Sequence, residues 1–317
     1  METPQLDAAG DLRHLLTLDG LGRERITTLL DAAQALRPHA LGRVAAQPLA
    51  GRTVVNLFFE NSTRTRSSFH LAARRLGADV LDFDVGSSSA RKGESLIDTL
   101  RNLEAMGADL FVVRHSESAA VAALAAAAAP ATSIVNAGDG RNAHPTQGLL
   151  DLLTIRQHKG SDFGALTVAI VGDIAHSRVA RSDIHGLRAL GVGTLRIAAP
   201  ANLLPAERWP GVEICHDVDS ALRDADVVIA LRLQRERMEE GLVDSLDGYW
   251  RDWGLTPPRL RLARPDAIVM HPGPMNRGVE IDDAVADGAQ SVILAQVANG
   301  VAVRMAILAQ LANRTAP

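Results

Sequence analysis

Ser62, Thr63, Arg64, Thr65 and Arg66 follow one another within FFENSTRTRSSFH (Phe58 to His70) and set three hydroxyls beside two guanidinium groups. Hydroxyl donors and guanidinium forks match the oxygens of phosphate or carboxylate. The run just before them, TVVNLFF (Thr53 to Phe59), is short, apolar and partly β-branched, so it reads as a buried strand. Ser67 to Leu76 then takes up helix-compatible spacing. The cluster thus falls where a helix starts, with unpartnered backbone N–H groups and the positive end of the helix dipole, and such a place holds an anion. The competing reading is an ordinary helix cap by Ser62 or Thr63 with both arginines solvated. One cap residue does not account for five such neighbours. The stretch lacks the glycines of GxxxxGK[ST] and GxGxxG, so neither nucleotide fingerprint applies.

Similar residues follow the other apolar runs. ADLFVV leads into Arg114 and His115, and ATSIVNA into GDGRNAHPTQ with His144 and Gln147. VAIVGD leads into IAHSR with Arg178, DVVIAL into Arg232 and Gln234, and AIVM into HPGPMNRG with His271. In open α/β sheets the carboxyl ends of strands collect the active site. Arginine, hydroxyl, imidazole and amide recur there, whereas a carboxylate pair for acid/base work or a thiol nucleophile does not. An isolated arginine is by default a surface ion-pair partner, His144 before Pro145 could bond a backbone carbonyl, and Gln147 could open a helix. Repetition at strand ends outweighs that default for Arg114 and Arg232. His271 reads as structural, with the Pro-Gly-Pro backbone as the contribution of its turn, and Glu239 and Glu240 read as a solvated helix face.

The elements behind these residues form two series of strand-like runs alternating with helical patterns. The first holds TVVNLFF, ADVLDF, ADLFVVR and ATSIVNA, and the second LTVAIVGD, TLRIAAP, VEICHD, ADVVIAL and AIVMHP. The fold class is α/β: two α/β domains, each with a mostly parallel sheet flanked by helices, joined by helices. A chain of 317 residues is long for one core and comfortable for two. Boundaries are set at 1–147 and 148–301, with a helix over 302–317 packing back on the first domain. Thr146 to Lys159 reads as an amphipathic connector helix. Ser291 to Arg314 reads as a helix with Gly300 as a bend.

Hydrophobic residues at 47% and charged residues at 22% describe a globular chain, and with aromatics at 3% its core must be filled by Ala, Leu and Val. A net charge of -4 argues against a broad basic surface for nucleic acid. The single cysteine, Cys215, excludes an intrachain disulfide and a multi-cysteine zinc site and reads as a small core residue. No secretory signal is apparent at METPQLDAAG. The alanine-rich run Ala119 to Ala131 comes nearest to a membrane segment, but it is too short and contains Pro130.

With these residues in place, the chain resembles the aspartate and ornithine carbamoyltransferases. FFENSTRTRSSF is similar to the family's carbamoyl-phosphate motif, NAGDGRNAHPTQGLLDLLTI to its second signature, and RLQRER with HPGPMN to the aspartate-specific part. The similarity runs in order from about Leu16 to Asn313, and Asn61 stands where the family often has proline. The resemblance implies that Ser62, Thr63, Arg64 and Thr65 bind phosphate, with Arg64 near the bridging oxygen. It implies that Arg114, His144 and Thr65 polarise the carbamoyl oxygen, and that Gln147 holds the carbamoyl amide together with main-chain carbonyls of the HPGP turn. Arg178 and Arg232 would receive the two carboxylates of aspartate, with Gln234 nearby. SSARKGES (Ser88 to Ser95) resembles a loop that reaches into a neighbouring subunit, placing Ser88 and Lys92 in that neighbour's site. Glu60 resembles a residue that joins the domains on closure, to Arg178 and Arg237.

The implied activity is carbamoyl transfer from carbamoyl phosphate to L-aspartate, a step of pyrimidine biosynthesis. It needs no cofactor or metal, and is carried out by a cytoplasmic homotrimer with shared sites that binds neither nucleic acid nor membrane. The ornithine enzymes are the near rival. They carry HCLP where this chain has HPGP at His271 to Pro274, and a cationic substrate does not need both Arg178 and Arg232. A catalytically silent scaffold is a second rival, opposed by the intact set of residues. HPGPMNRG, rather than HPLPR, resembles bacterial forms that assemble with a dihydroorotase-like partner, so a larger assembly with such a partner or a regulatory subunit is an expectation.

Overall fold

A computed structural model of the chain describes residues 5–42, 47–84, 94–234 and 245–313. Ser88, Lys92 and Arg237 lie outside the described residues. Two compact units divide the chain: Met1–Leu149 with Ala298–Pro317, and Leu150–Val297.

The first unit contains, in order, α1 (Arg23–Ala40), β1 (Thr53–Phe58), α2 (Thr63–Arg75), β2 (Asp79–Asp84), α3 (Leu96–Ala105), β3 (Leu110–His115), α4 (Ala120–Ala127) and β4 (Ser133–Asp139). Helix α5 (Pro145–Lys159) starts in this unit and ends in the next. The sheet order is β2-β1-β3-β4, with all pairs parallel. Strand β3 is buried from Leu110 to Arg114 and β4 along its whole length, as parallel strands with both faces covered require. Val55, Leu57, Phe111, Val113 and Ile134 pack with Leu100, Leu103, Val121 and Leu124. Each such side chain contributes about 1.5–3 kcal/mol by leaving water.

The second unit adds β5 (Thr167–Val171), α6 (Arg178–Ala189), β6 (Thr194–Ala198), β7 (Val212–Cys215), α7 (Val218–Leu222), β8 (Val227–Ala230), α8 (Leu246–Trp253), α9 (Pro257–Leu260), β9 (Ile268–Met270), α10 (Asp283–Ala286) and α11 (Ile293–Ala312). Its five strands run parallel in the order β7-β6-β5-β8-β9. Ala169, Val171, Val228 and Val269 share a core with Leu255, Ile281 and Val285, and Cys215 packs against its edge. Two parallel α/β sheets flanked by helices are the fold class expected from the sequence.

One expectation changes. The alanine-rich run yields only the short α4, and its Ala119 takes a left-handed backbone with φ 72°. Among the described residues α11 is instead the helix long and apolar enough to cross a membrane by length and composition, and 61% of that stretch is buried inside the protein. The helix expected over this stretch forms and continues through Gly300, since one glycine costs a helix only about 1 kcal/mol, which burial along the rest of the helix offsets.

Candidate functional site

Strand order decides where a ligand crevice opens, because connections leaving a parallel sheet in opposite directions part at one point. In the first sheet the chain steps from β1 outward to β2, then crosses to β3 and β4. The parting point lies between β1 and β3, whose last residues pair Phe58 with Arg114. The Phe59 amide donates to the Arg114 carbonyl at 2.8 Å. Ser62 to Thr65 follow directly, so the hydroxyl and arginine cluster and the Arg114 side chain share one strand end.

Ser62 occupies the N-cap of α2 in an extended conformation, but its hydroxyl makes no cap bond. The cap alternative raised by the sequence therefore fails for Ser62. Thr65 is buried, Ser62 half-buried, and Thr63 and Arg64 exposed. The two arginines separate: Arg66 lies 3.5 Å from Asp82, which also takes bonds from Asn56 and His70 at 2.8 Å each. Partial burial opposes ionisation of Asp82, yet the hydrogen bonds from Asn56 and His70 and the nearby positive charges hold its carboxyl below the usual aspartate value. Arg66 thus faces a carboxylate of the adjoining strand β2.

The buried Arg114 guanidinium reaches across the sheet end. It donates from Nη1 to the Ala137 carbonyl at 3.2 Å and from Nη2 to Glu60 Oε1 at 3.0 Å. Beyond β4 a tight turn brings in His144. The Asp139 amide donates to the Ala143 carbonyl at 3.0 Å and the Asn142 amide to the Asp139 carbonyl at 2.8 Å. Glycine is required at Gly140, where φ is +49° and a Cβ would stand 2.6 Å from the Ser118 nitrogen. The His144 carbonyl then accepts from the Gln147 and Gly148 amides at 2.9 and 3.2 Å, starting α5. His144 and Gln147 are both buried.

The second sheet repeats the device. The chain runs from β5 out to β6 and β7, then crosses to β8 and β9, so the parting point lies between β5 and β8. Gly172 has φ +125°, and a Cβ there would meet the Leu231 carbonyl oxygen at 2.6 Å, so only glycine lets the two strand ends approach. Asp173 follows, fully buried. Its Oδ1 accepts from the His176 amide at 3.2 Å and from His176 Nδ1 at 2.8 Å, and its Oδ2 from the Gln234 amide at 3.2 Å. Ser177 caps α6 by accepting from the Ala180 amide at 3.1 Å, so α6 opens on the buried Arg178. Arg232 and Gln234 follow β8, both half-buried.

At the end of β9, His271 is buried with the tautomer set by its neighbours. Its Nδ1 accepts from the Gly273 amide at 2.8 Å, which leaves Nε2–H to donate to Glu280 Oε1 at 3.2 Å. The Asn276 amide also donates to that oxygen, at 2.5 Å. These bonds fold the His271–Pro274 turn back on itself, and the Gly273–Pro274 peptide is cis. The structural reading of His271 agrees with this geometry. Burial first, then the charges of Glu280 and Asp173, push the Tyr249 hydroxyl well above the ordinary tyrosine value, so it stays neutral.

The first unit thus gathers Glu60, Ser62, Thr63, Arg64, Thr65 and Arg114 at its parting point, with His144 and Gln147 beyond β4. The second gathers Arg178, Arg232 and Gln234 at its own. Sequence reading missed Asp173, although an acid ending an apolar run, IVGD, was a visible signal. It also missed Gln296, whose amide bonds to the His271 N–H and to Asp151, partners distant in the chain.

Two adjoining family descriptions match the chain: "Aspartate/ornithine carbamoyltransferase, carbamoyl-P binding domain" over residues 13–157 and "Aspartate/ornithine carbamoyltransferase, Asp/Orn binding domain" over residues 165–311. Aspartate carbamoyltransferase catalytic subunits from Xanthomonas campestris pv. campestris (strain B100) and Stenotrophomonas maltophilia (strain R551-3) are each 62% identical, covering 98% of this chain and 99% of the relative. A solved structure of aspartate transcarbamoylase from Trypanosoma cruzi, in complex with carbamoyl aspartate and phosphate, superposes with a TM-score of 0.86 at 32% identity, covering 98% of this chain and 99% of that one. The same enzyme with N-(phosphonacetyl)-L-aspartic acid gives 0.83 at 30% identity, covering 98% of each chain. By sequence over nearly its whole length and by fold, the chain belongs to the aspartate/ornithine carbamoyltransferase family.

Proposed function

We infer that this chain transfers the carbamoyl group of carbamoyl phosphate to the amine of L-aspartate, giving N-carbamoyl-L-aspartate and phosphate. The observation that carries this reading is the second unit's parting point, where Arg178 opens α6 after β5 and Arg232 follows β8, a pair of cations suited to a dicarboxylate amine. The relatives' 62% identity supports the same choice of amine over ornithine.

In this reading, Ser62, Thr63, Arg64 and Thr65 take the phosphate at the open start of α2. Arg114, already oriented by Glu60 and Ala137, donates with His144 and Thr65 to the carbamoyl oxygen, and Gln147 holds the carbamoyl amide. The substrate amine attacks the carbamoyl carbon, charge builds on the carbonyl oxygen, and the C–O bond to phosphate breaks as the amine's proton passes to the departing phosphate. No protein nucleophile is needed because the mixed anhydride is already activated, so orientation and fixed donors do the work. Removing one such donor costs about 3 to 4 kcal/mol. Ser88, Lys92 and Arg237 enter on family resemblance: Ser88 and Lys92 from a neighbouring subunit of a cyclic homotrimer, Arg237 with Glu60 in closure. A cytoplasmic setting, and a larger assembly with a dihydroorotase-like or regulatory partner, belong to the same reading.

Radiolabelled carbamoyl transfer with aspartate and ornithine in parallel tests it. Label must pass to aspartate. Transfer to ornithine alone, or to neither, overturns the assignment.

A further inference from the structure

Behind the His271–Pro274 turn, three elements of the second unit bring together a polar group that the carbamoyl-transfer reading does not use. Gln296 on α11 is buried and bonded at both ends of its amide. Its Oε1 accepts from the His271 amide at 2.9 Å, and its Nε2 donates to Asp151 Oδ1 on α5 at 2.7 Å. Against Asp151 lies Asp183 of α6, and both residues are only 1% exposed. Among the described residues, neither oxygen of Asp183 accepts from an N–H or hydroxyl group. Two ionised carboxylates cannot touch in a dry interior, because each pays for lost hydration and then repels the other. A proton held between them turns the repulsion into a strong hydrogen bond.

We propose that Asp151 and Asp183 share one proton, and that the pair is a positioning device which presents Asp151 as a fixed acceptor to Gln296 and so holds the backbone of His271 at the head of the turn. An amide side chain can flip by half a turn, exchanging its oxygen and nitrogen. With Asp183 as the proton donor, Asp151 remains an acceptor, and only one orientation of Gln296 satisfies both Asp151 and the His271 N–H. Burial, reinforced by the negative charge of Asp151, pushes the Asp183 carboxyl well above the usual aspartate range, which agrees with Asp183 as the donor. Asp151 stands four residues after Gln147 on α5, so the helix that begins at the carbamoyl site also carries the acceptor.

The effect on rate rests on the carbamoyl-transfer reading, whereas the shared proton does not. Two measurements keep them apart. Difference infrared spectroscopy at neutral pH should show a protonated carboxyl band in the wild type that is lost in Asp183→Asn; no such band overturns the shared proton whatever the enzyme does. In steady-state assays Asp183→Asn, whose amide N–H replaces the shared proton, should keep kcat within about twofold, while Asp183→Leu should lower it about ten- to a hundredfold with a smaller change in KM for aspartate. Gln296→Leu should lower kcat to a similar extent, and Asp183→Leu combined with it should add little, because both act through one contact. Equal losses in Asp183→Asn and Asp183→Leu, or additive losses in the double variant, overturn the positioning role. A wild type that shows the band yet transfers no carbamoyl group refutes the proposed function and leaves the proton in place.

Discussion

Asp173 holds Gln234 by its backbone: the Gln234 amide donates to Asp173 Oδ2 at 3.2 Å while His176 occupies Oδ1. One buried carboxylate thereby ties the segment that carries Arg232 and Gln234 to the segment that leads into Arg178. Asp173→Asn places an N–H against donors that need an oxygen, and a lost bond to a charged group costs about 1.5–3 kcal/mol. The variant should lose aspartate turnover by about ten- to a hundredfold while calorimetry finds carbamoyl-phosphate binding nearly unchanged. Parallel loss of both would show that Asp173 supports the fold rather than the aspartate half.

Arg232→Ala separates the two substrates. Assigned to a carboxylate present only in aspartate, Arg232 should contribute about 2–3 kcal/mol to aspartate use and little to carbamoyl phosphate. Initial rates over both concentration ranges measure this, and an equal fall in affinity for carbamoyl phosphate would make the assignment wrong.

Shared sites are testable by mixing subunits. Arg64→Ala and Lys92→Ala proteins should each be nearly inactive. After subunit exchange at equal amounts, roughly three quarters of cyclic trimers are mixed, each with one intact site of three, so activity should recover to about a quarter of wild type. Exchanged trimers as inactive as their parents would confine Lys92 to its own chain or to no role.

Asp183 also makes a prediction about stability and pH. Its folded-state carboxyl titrates well above the ordinary value of 3.8. Above that value the unfolded chain releases the proton while the folded chain keeps it, so the group's contribution to stability falls as pH rises toward the folded pKa, by at most about 1.4 kcal/mol per pH unit. Asp183→Asn does not titrate, so its melting temperature relative to wild type should increase as pH rises from the ordinary aspartate range toward neutrality. A constant difference would mean that Asp183 is ionised in the folded protein.

The helix start with its hydroxyls and arginines, the alternation of strands and helices, and the HPTQ and HPGP segments were all legible in the chain, because each depends on neighbours within a few residues. Short apolar runs bounded by polar residues specify strands, and a cluster of donors after a strand remains a cluster however the sheet is arranged. Family resemblance extended this to individual roles for Arg64, Arg114, Arg178 and Arg232.

Tertiary structure decided what depends on residues far apart in sequence. The position of β1 between β2 and β3 brings Arg114 to the strand end that leads into Ser62–Thr65, and the position of β5 between β6 and β8 brings Asp173 to Gln234. Arg64 and Arg66 look alike in the chain, yet the Asp82 carboxylate on the neighbouring strand claims Arg66. Asp151, Asp183 and Gln296 lie on three helices, and nothing local to any of them marks it as buried against the others. Local pattern sets the elements because backbone propensity and periodicity act over a few residues, whereas partners are chosen by long-range strand pairing and by the need to satisfy every buried polar group at once.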